Sequence, residues 1–436
     1  MIKQHTLTIL AVILAWPSAL QSGDKPYITT QTPIRLLSAN DGEAPYLLKS
    51  PDETSGWEFN REDSFTVIHL GPDHPPNIKT VYGTVPATIL GTPTMAMSKD
   101  GKYGLIANHG RRGQIFLNIV HPKNSPLINS DLTPQLLKQQ KLTPQYSNML
   151  SLIDLSVSDY KVVHRILFDD FPTHVLAHPD GKHFVVGATK NFYVFKIVKS
   201  KLVEVSRNPQ SYGIVCFWIH PNGNRIIATQ NLPKSPIVTG KDVIRNDPCT
   251  VQWYSMENNK IRHISEVKVQ SGVDTKLLNT SMILRISPDG KLALICQRSN
   301  GNGIDFCDIP IVDLTLDKPA ITSVIKQVAD GVESFAFHPS GRMAVVTGLG
   351  RTSNCIGVLD IASKPARLLY TLDAEPIGQG IEFTPEGDKL FVGSATSGRI
   401  EVFDVLGDYE LRKNPKFLRV GYGHSSLTIG PRYQPE

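Results

Sequence analysis

The sequence predicts an all-β fold, a seven-bladed β-propeller closed by a C-terminal strand that pairs into blade one. Three observations predict it: a glycine turn that recurs six times, an apolar strand that recurs seven times, and a spare strand pattern near the C-terminus. No long segment carries the 3.6-residue apolar period of a helix, which argues against an α/β fold. Repeats of this size indicate a fold built from stacked units.

The glycine turn has the form His, Ser or Thr, then any residue, then Asp, Asn, Ser or Glu, then Gly. Proline, where present, presets φ, the short polar side chain bonds its own backbone, and glycine takes the position with positive φ. The six copies end at Gly101, Gly181, Gly223, Gly290, Gly341 and Gly387. A single turn of this kind would mean little, but six at related spacing indicate a repeat.

The recurring apolar strand follows each turn unless an insertion intervenes. Its seven copies are FTVIHL (65–70), LSLIDL (150–155), FYVFKI (192–197), VQWYSM (251–256), IPIVDL (309–314), IGVLDI (356–361) and IEVFDV (400–405). The shortest intervals between them match the length of a four-stranded propeller blade. We therefore predict seven blades.

The two ends of the chain complement each other. The first unit lacks an inner strand, whereas HSSLTIGP (424–431) aligns with the inner-strand patterns THVLAHP (173–179) and GIEFTP (380–385). A ring whose ends share one blade leaves no unpaired inner edge. We expect the tail to complete blade one, and residues 23–436 to form a single propeller domain.

The N-terminus has the pattern of an export signal. Lys3 supplies a positive charge, LTILAVILAW (7–16) is apolar, and small residues precede position 22. We expect residues 1–22 to be a signal peptide and the mature protein to be secreted or periplasmic, with a retained N-terminal anchor as the alternative. No later segment is long and apolar enough to predict a membrane span.

The charge composition points to anionic partners. The net charge is +5 and the isoelectric point about 8.8, with basic and acidic residues intermixed. No nucleic-acid motif and no basic stripe interleaved with aromatics is present, so we do not expect nucleic acid as a partner. The sequence has no metal-ligand spacing and no cofactor fingerprint, and we expect neither a metal nor a cofactor. We expect a monomer.

Two of the five cysteines are candidates for a disulfide. Cys296 and Cys307 flank the turn-rich segment SNGNG (299–303), which would place them nearly opposite each other across a hairpin. An oxidising compartment would allow a disulfide between them. Buried free thiols are the alternative.

Two segments carry a family resemblance. KLFVGSATSGRIEVFDV (389–405) and KHFVVGATKNFYVFKIV (182–198) resemble the YVTN repeats of the seven-bladed propeller superfamily. That superfamily includes 6-phosphogluconolactonase-like and muconate-cyclase-like lactonases, as well as many exported proteins of unassigned role. The resemblance covers nearly all of the mature chain. Because it rests on turn and core residues, it implies the fold more than an activity.

The predicted strand order places one set of loops on the face where each inner strand begins, here called the top face. Two long insertions, about 108–148 and 230–250, fall in such loops and are either functional or variable decoration. The top loops also contain arginines, a residue suited to binding carboxylate or phosphate. The candidate ligand-binding arginines are Arg111, Arg112, Arg298 and Arg351.

The inner strands supply candidates for the channel mouth. Only His174, Glu333 and His424 among the aligned opening positions could perform acid–base chemistry, and Gln379 is a further candidate ligand-binding residue. Lactone opening requires a base that activates water and a cation that stabilises the oxyanion. Lactonases on this fold resemble this plan, using a His, a Glu and arginines at the channel mouth. A lone histidine in a channel wall is more often a hydrogen-bonded structural residue than a catalyst.

Two functions are consistent with these features. The first is an exported, non-catalytic propeller that binds a small anionic molecule or a protein partner on its top face. The alternative is a lactone hydrolase or cyclase that uses His174, Glu333 and His424. The sequence has no nucleophile elbow and no phosphate-binding loop, so covalent nucleophilic catalysis is not expected.

Overall fold

A computed structural model of the protein describes residues 25–42, 62–87, 93–109, 148–211, 213–231, 249–269, 280–298, 306–316, 318–349 and 356–431. The predicted signal peptide and most of both predicted insertions lie outside these residues. All the regular elements of the described residues are β-strands, as the sequence predicts.

The described residues form twenty-eight strands. The first fourteen are β1 (Ile34–Asn40), β2 (Ser64–Leu70), β3 (Asn77–Tyr82), β4 (Met95–Met97), β5 (Tyr103–Asn108), β6 (Met149–Asp154), β7 (Val162–Leu167), β8 (Pro172–Ala177), β9 (His183–Ala188), β10 (Asn191–Val198), β11 (Lys201–Pro209), β12 (Gly213–Ile219), β13 (Arg225–Asn231) and β14 (Cys249–Glu257). The remaining fourteen are β15 (Lys260–Val269), β16 (Thr280–Ile286), β17 (Leu292–Arg298), β18 (Phe306–Asp313), β19 (Ala320–Asp330), β20 (Ser334–Phe337), β21 (Met343–Thr347), β22 (Ile356–Asp360), β23 (Arg367–Leu372), β24 (Gly378–Phe383), β25 (Lys389–Ser394), β26 (Arg399–Leu406), β27 (Glu410–Arg419) and β28 (His424–Pro431).

These strands form seven four-stranded antiparallel sheets, one for each blade. Blade 1 has the order β28-β1-β2-β3, and blades 2 to 7 follow in chain order from β4–β7 to β24–β27. The innermost strands β28, β4, β8, β12, β16, β20 and β24 each contact the innermost strands of the neighbouring blades. The predicted seven-bladed ring is therefore confirmed.

The ring closes through the C-terminal strand. Strand β28 pairs antiparallel with β1, with Leu427 opposite Ser38 and Ile429 opposite Leu36. The N-terminal strand β1 thus becomes the second strand of blade 1, and the tail becomes its innermost strand. The predicted closure is confirmed.

The core lies between the blades. Among the described residues the buried apolar side chains form seven clusters, and each cluster combines residues from two neighbouring blades. At the seam between blades 7 and 1, for example, Leu36 and Ile68 pack with Phe391 and Val402. A single blade is too thin to bury both of its apolar faces, so stability comes from the stack.

The glycine turns lie on the face opposite the top face. All six turn glycines have positive φ, between 70° and 79°, which explains why the motif requires glycine. Where the motif begins with histidine, the ring Nε2–H donates to the carbonyl of the next blade's turn glycine. The pairs are His178 with Gly223 (2.8 Å), His220 with Gly290 (3.0 Å) and His338 with Gly387 (3.1 Å). These histidines join blades.

Turns that begin with Ser or Thr bond within their own hairpin instead. The hydroxyl oxygens of Ser98, Ser287 and Thr384 accept hydrogen bonds from main-chain N–H groups five residues later. The same hydroxyls donate to the carboxylates of Asp100, Asp289 and Asp388. The first motif residue therefore determines whether its own side chain bonds the next blade or its own hairpin.

The cysteine pair forms no disulfide in the described structure. Cys296 and Cys307 are both fully buried. The strand register places Gln297 opposite Asp308, so the two cysteines are diagonal neighbours across the hairpin. Both belong to the apolar cluster between blades 5 and 6, and the Cys296 thiol donates to the carbonyl of Val332 (3.6 Å).

Candidate functional site

The top ends of the innermost strands have a repeated irregularity. In five blades the hydrogen-bonding register shifts near the top of the innermost strand. The shift falls five residues before the first residue of the glycine turn and, in blade 1, at the equivalent position of β28. These bulge positions are Thr173, Val215, Met282, Gln379 and Ser425. β-Bulges redirect side chains and are frequent beside functional sites. Glu333 occupies the same position in blade 6, immediately before β20.

The residue that directly follows the bulge position in each innermost strand joins neighbouring blades. Several side chains there bond the main chain of the next blade in the ring. His174 Nδ1 accepts from Phe217 N–H (3.4 Å), Cys216 Sγ donates to Leu284 O (3.7 Å), Ser334 Oγ accepts from Gly380 N–H (3.2 Å) and Ser426 Oγ accepts from Thr94 N–H (3.2 Å). His174 therefore lies at a position whose counterparts also connect blades.

His174 is enclosed by blade 4. Its ring is fully buried, 4.6 Å from the ring of Phe217 and 6.1 Å from that of Trp218 between centroids. Burial lowers the pKa of His174 to about 3 from its ordinary value of 6.5, because the charged imidazolium would lose its hydration there. The ring is neutral at physiological pH and three blades away from Glu333 around the ring.

Three predicted site residues lie on consecutive blades. Glu333 belongs to blade 6, Gln379 to blade 7 and His424 to blade 1, and the Gln379 side-chain amide donates to Glu333 Oε2 at 2.7 Å. Gln379 is almost fully buried, whereas Glu333 is partly exposed. The structure therefore brings Glu333 and Gln379 together at the mouth of the channel and places His424 on the adjoining blade.

His424 is buried against two glycines. A side chain at Gly393 or Gly380 of blade 7 would collide with its imidazole ring, which explains why both positions lack a Cβ. Its Nδ1 lies 2.8 Å from Ser38 Oγ, and Ser38 Oγ also donates to Asn40 Oδ1 at 2.7 Å. Burial lowers the pKa of His424 to about 3, although the main-chain carbonyl of Gln379 opposes this effect. Like His174, it is neutral at physiological pH.

The backbone that precedes Gln379 is strained. Ile377 has φ of 57°, a value that β-branched residues rarely adopt. The conformation is held by hydrogen bonds from Ile377 N–H to Leu349 O and from Ala395 N–H to Ile377 O, each 3.0 Å. Such outliers concentrate at functional sites, where surrounding structure holds them in place.

The predicted arginines of the mouth are not placed. Arg111, Arg112 and Arg351 lie outside the described residues. Arg298 is the last residue of β17, opposite Thr280, but its side chain lies outside the described part of the chain. They remain predictions.

Sequence reasoning missed a charged cluster on the channel axis. Arg285 of blade 5 donates from Nη2 to Glu382 Oε2 of blade 7 at 2.7 Å, and from Nη1 to the carbonyls of Phe335 (2.7 Å) and Ile381 (3.3 Å). Its guanidinium also lies 4.8 Å from the centroid of the Trp218 ring. One side chain thus connects blades 4, 5, 6 and 7.

A small cavity adjoins this cluster. It is lined by Arg285 and Glu382, by the hydroxyl-bearing residues Ser334 and Ser426, and by Trp218. Its volume of about 20 Å³ has room for about one water molecule. Both serine oxygens accept main-chain hydrogen bonds, so their O–H protons remain free to donate elsewhere. Glu333 and Gln379 directly precede two lining residues, Ser334 and Gly380, so the cavity lies beneath the Glu333–Gln379 pair.

A sequence signal for the axial cluster does exist. Trp218, Arg285 and Glu382 each lie two residues before the first residue of the glycine turn, whereas blades 2, 3 and 6 have Ala96, Leu176 and Ala336 there. Two opposite charges at equivalent positions of a ring would have been visible after alignment of the inner strands. Their pairing across blade 6 required the structure.

We expect Arg285→Met to destabilise the ring strongly. The Arg285 and Glu382 side chains are only 17% and 15% exposed, so the substitution leaves a nearly buried carboxylate without its cation. Removal of one partner of such a pair costs about 3 kcal/mol. Urea unfolding should show this loss, and Arg285→Met with Glu382→Met should recover part of it. Arg262→Met, on an exposed edge strand, is the matched control, and an equal loss there would contradict the expectation.

The architecture defines the class: a seven-bladed β-propeller closed by its C-terminal strand. Solved structures share this fold. A proposed 6-phosphogluconolactonase from Bacteroides fragilis is 13% identical, with 92% of this chain and 99% of that chain covered and a TM-score of 0.59. The periplasmic gluconolactonase of Pseudomonas aeruginosa is also 13% identical, with 92% and 99% covered and a TM-score of 0.58.

A further proposed 6-phosphogluconolactonase, from Bacteroides uniformis, is 11% identical, with 92% of this chain and 100% of that chain covered and a TM-score of 0.60. At these identities the likeness concerns the fold. No protein-family model matches the chain, and no curated protein matches it. The resemblance seen in the repeats is thus confirmed for the architecture, and the function has to be argued from the site.

The described residues contain neither a membrane-spanning helix nor a metal-binding cluster. Within those ranges no helix is long and apolar enough to cross a membrane. No group of three or more His, Cys, Asp or Glu side chains within the same ranges is arranged to hold a metal ion.

Proposed function

We propose that the protein binds a small anionic, hydroxylated molecule at the top mouth of its axial channel without transforming it. The Glu333–Gln379 pair is the main support. A partly exposed carboxylate held by a buried amide on the next blade is a fixed acceptor for ligand hydroxyl groups. In this proposal Arg111, Arg112, Arg298 and Arg351 bind the ligand's acidic group at the rim.

The non-catalytic part of the proposal rests on the two histidines. A general base must reach its substrate with a lone pair. His174 and His424 are fully buried, His174 Nδ1 accepts from Phe217 N–H, and the Nε2 atom of each ring is buried as well. Their positions favour a role in joining blades 3 and 4 and in closing the ring at blade 1.

The proposal includes export. Residues 1–22 have the pattern of a signal peptide, and we propose that the mature chain acts as a secreted or periplasmic protein. Determination of the N-terminal residue of the protein secreted by an expressing cell would test this, with cleavage near position 22 as the expected result. A protein recovered from the cytoplasm with Met1 intact would contradict it.

A second candidate function is supported by Glu333 itself. A partly exposed carboxylate at the mouth could activate water for lactone opening. The fold is also shared with the periplasmic gluconolactonase of Pseudomonas aeruginosa. In this alternative Glu333 is the base and a rim arginine, Arg111 or Arg298, stabilises the oxyanion.

Calorimetric titration tests separately whether Glu333 binds the ligand's hydroxyl groups and whether the arginines bind its acidic group. We expect wild type to bind gluconate more tightly than hexanoate, which has the same carboxylate but no hydroxyl groups. Glu333→Ala should weaken gluconate binding at least about tenfold, the effect of about 1.4 kcal/mol, and leave hexanoate unchanged. Arg298→Ala should weaken both acids. Arg342→Ala, on the opposite face, is the matched control.

Turnover decides between the two functions. Sugar and aryl lactones should remain intact with wild type under the proposed function. Hydrolysis that is lost in Glu333→Gln would establish the lactonase alternative. Hydrolysis that survives both Glu333→Gln and His174→Ala would show that the chemistry lies elsewhere, and a protein that binds neither acid would contradict the binding site.

A further inference from the structure

The positive charge of the protein is concentrated on its circumference. The outermost strands of the seven blades are β3, β7, β11, β15, β19, β23 and β27. Together they contain thirteen Lys and Arg residues but only four Asp and Glu residues. This excess is larger than the +5 net charge of the whole chain. The innermost strands, in contrast, have only Arg285 and Glu382 as charged residues.

Blade 7 has the most basic edge. Strand β27 carries Arg412, Lys413, Lys416 and Arg419 within eight residues, against Glu410 alone. The guanidinium groups of Arg419 and of Arg399, on the neighbouring strand, lie 5.4 Å and 4.5 Å from the centroid of the Phe417 ring. Cations that share one aromatic ring remain charged and are held in place at the surface.

Neighbouring acids neutralise few of these cations. Arg207, Lys326, Arg367 and Lys413 lie within 4 Å of a carboxylate. Among the described side chains no such partner lies beside the remaining outer-strand cations Lys79, Arg165, Lys201, Lys260, Arg262, Arg412, Lys416 and Arg419. All of these except the half-buried Lys416 are exposed. The outermost strands therefore carry a net positive charge.

Protection of sheet edges explains only part of this pattern. Charged side chains on edge strands prevent edge-to-edge association, and lysine is used for this above all. Six of the thirteen outer-strand cations are arginines, which this preference for lysine does not explain. The excess of one sign on the edges of the blades indicates a partner of the opposite sign.

We propose that the circumference binds an anionic polysaccharide, a chain of uronate- or sulfate-bearing sugars. Six of the seven outermost strands have net positive charge, so the basic surface curves around the ring. A flexible polymer can follow this curvature, whereas a flat membrane could touch only one arc.

Nucleic acid fits this surface less well. Single strands gain affinity by stacking bases on aromatic side chains. The outermost strands have only Tyr82, Tyr370 and Phe417 as aromatic residues. The Tyr370 hydroxyl donates to Tyr409 O (2.5 Å), and Phe417 is covered by Arg399 and Arg419, which leaves Tyr82 as the exposed ring.

Binding to immobilised heparin and to polygalacturonate tests the proposal. Wild type should bind both at about 50 mM salt and release them steeply towards about 200 mM, since ion release drives such binding. Neutral dextran should not bind. Arg412→Glu with Lys416→Glu and Arg419→Glu should weaken binding at least about tenfold, the effect of about 1.4 kcal/mol. The same positions changed to Gln give a milder variant, and urea unfolding verifies that both variants fold.

The matched control reverses the charge of three exposed lysines on the face that carries the glycine turns. Lys99→Glu with Lys182→Glu and Lys291→Glu changes the net charge by the same amount, away from the circumference. Binding should fall less than about twofold. Equal loss in both triple variants, or equal binding of dextran, would overturn the proposed surface. Tighter binding of duplex DNA or of anionic phospholipid vesicles than of polysaccharide at the same salt would overturn the proposed partner. Neither result bears on the gluconate site.

Discussion

Removal of strand β28 is expected to abolish cooperative folding. A chain that ends at Gly423 would lose every β1–β28 hydrogen bond, together with the apolar packing of Leu427 between blades 7 and 1. It would also expose an unpaired edge at the centre of the ring. The total stability of a domain is about 5–15 kcal/mol, so the loss of the closing strand should exceed what the ring can tolerate. Circular dichroism and urea unfolding would show a broad, non-cooperative transition.

The control and a rescue experiment make this expectation specific. A chain that ends at Pro431 keeps the whole of β28 and should unfold at the same urea concentration as the full chain. A peptide of sequence HSSLTIGP, added to the chain that ends at Gly423, should restore part of the cooperative transition, because it can occupy the vacant edge of β1. An unchanged midpoint after the removal of β28 would contradict the role of the tail in closure.

The second large expected effect is a loss of stability in acid. The folded state lowers the pKa of His174 and of His424 to about 3, whereas 6.5 is the ordinary value of a histidine. The neutral rings therefore stabilise the fold fully above pH 6.5, and this contribution declines as pH falls from 6.5 towards 3. Each histidine should lower the free energy of unfolding by about 2 kcal/mol between pH 6.5 and pH 5.

Urea unfolding at several pH values measures how steeply the free energy of unfolding falls as the pH is lowered, which is here called the pH slope. His174→Asn and His424→Asn remove one titrating ring each, so each should be less stable than wild type at pH 7 but lose less stability on acidification. The exposed His263 on β15 supplies the control, because His263→Asn should leave the slope unchanged. If both buried-site variants kept the wild-type slope, the two rings would already be charged or solvated in the folded state.

The candidate site was only partly predictable. Glu333, Gln379 and His424 are near the start of their inner strands in the sequence, so alignment placed them at one end of the channel. The prediction that His174 and Glu333 act together required a distance that alignment does not supply, and the structure places them three blades apart. The buried state of both histidines depends on Phe217, Gly393 and Gly380 of neighbouring blades, which lie far away in the sequence.

The sequence by itself determined the number of blades, the turn type and the closure by the tail. These properties are local and periodic: a glycine with positive φ, an alternating apolar strand and one unmatched inner-strand pattern are visible within short segments. Only the tertiary structure decided which side chains meet across the seams. Arg285 reaches Glu382 across 97 positions of sequence, and Ser38 reaches His424 across 386. Such contacts arise because the ring brings distant strands together at one axis, and no short segment encodes where another segment will lie.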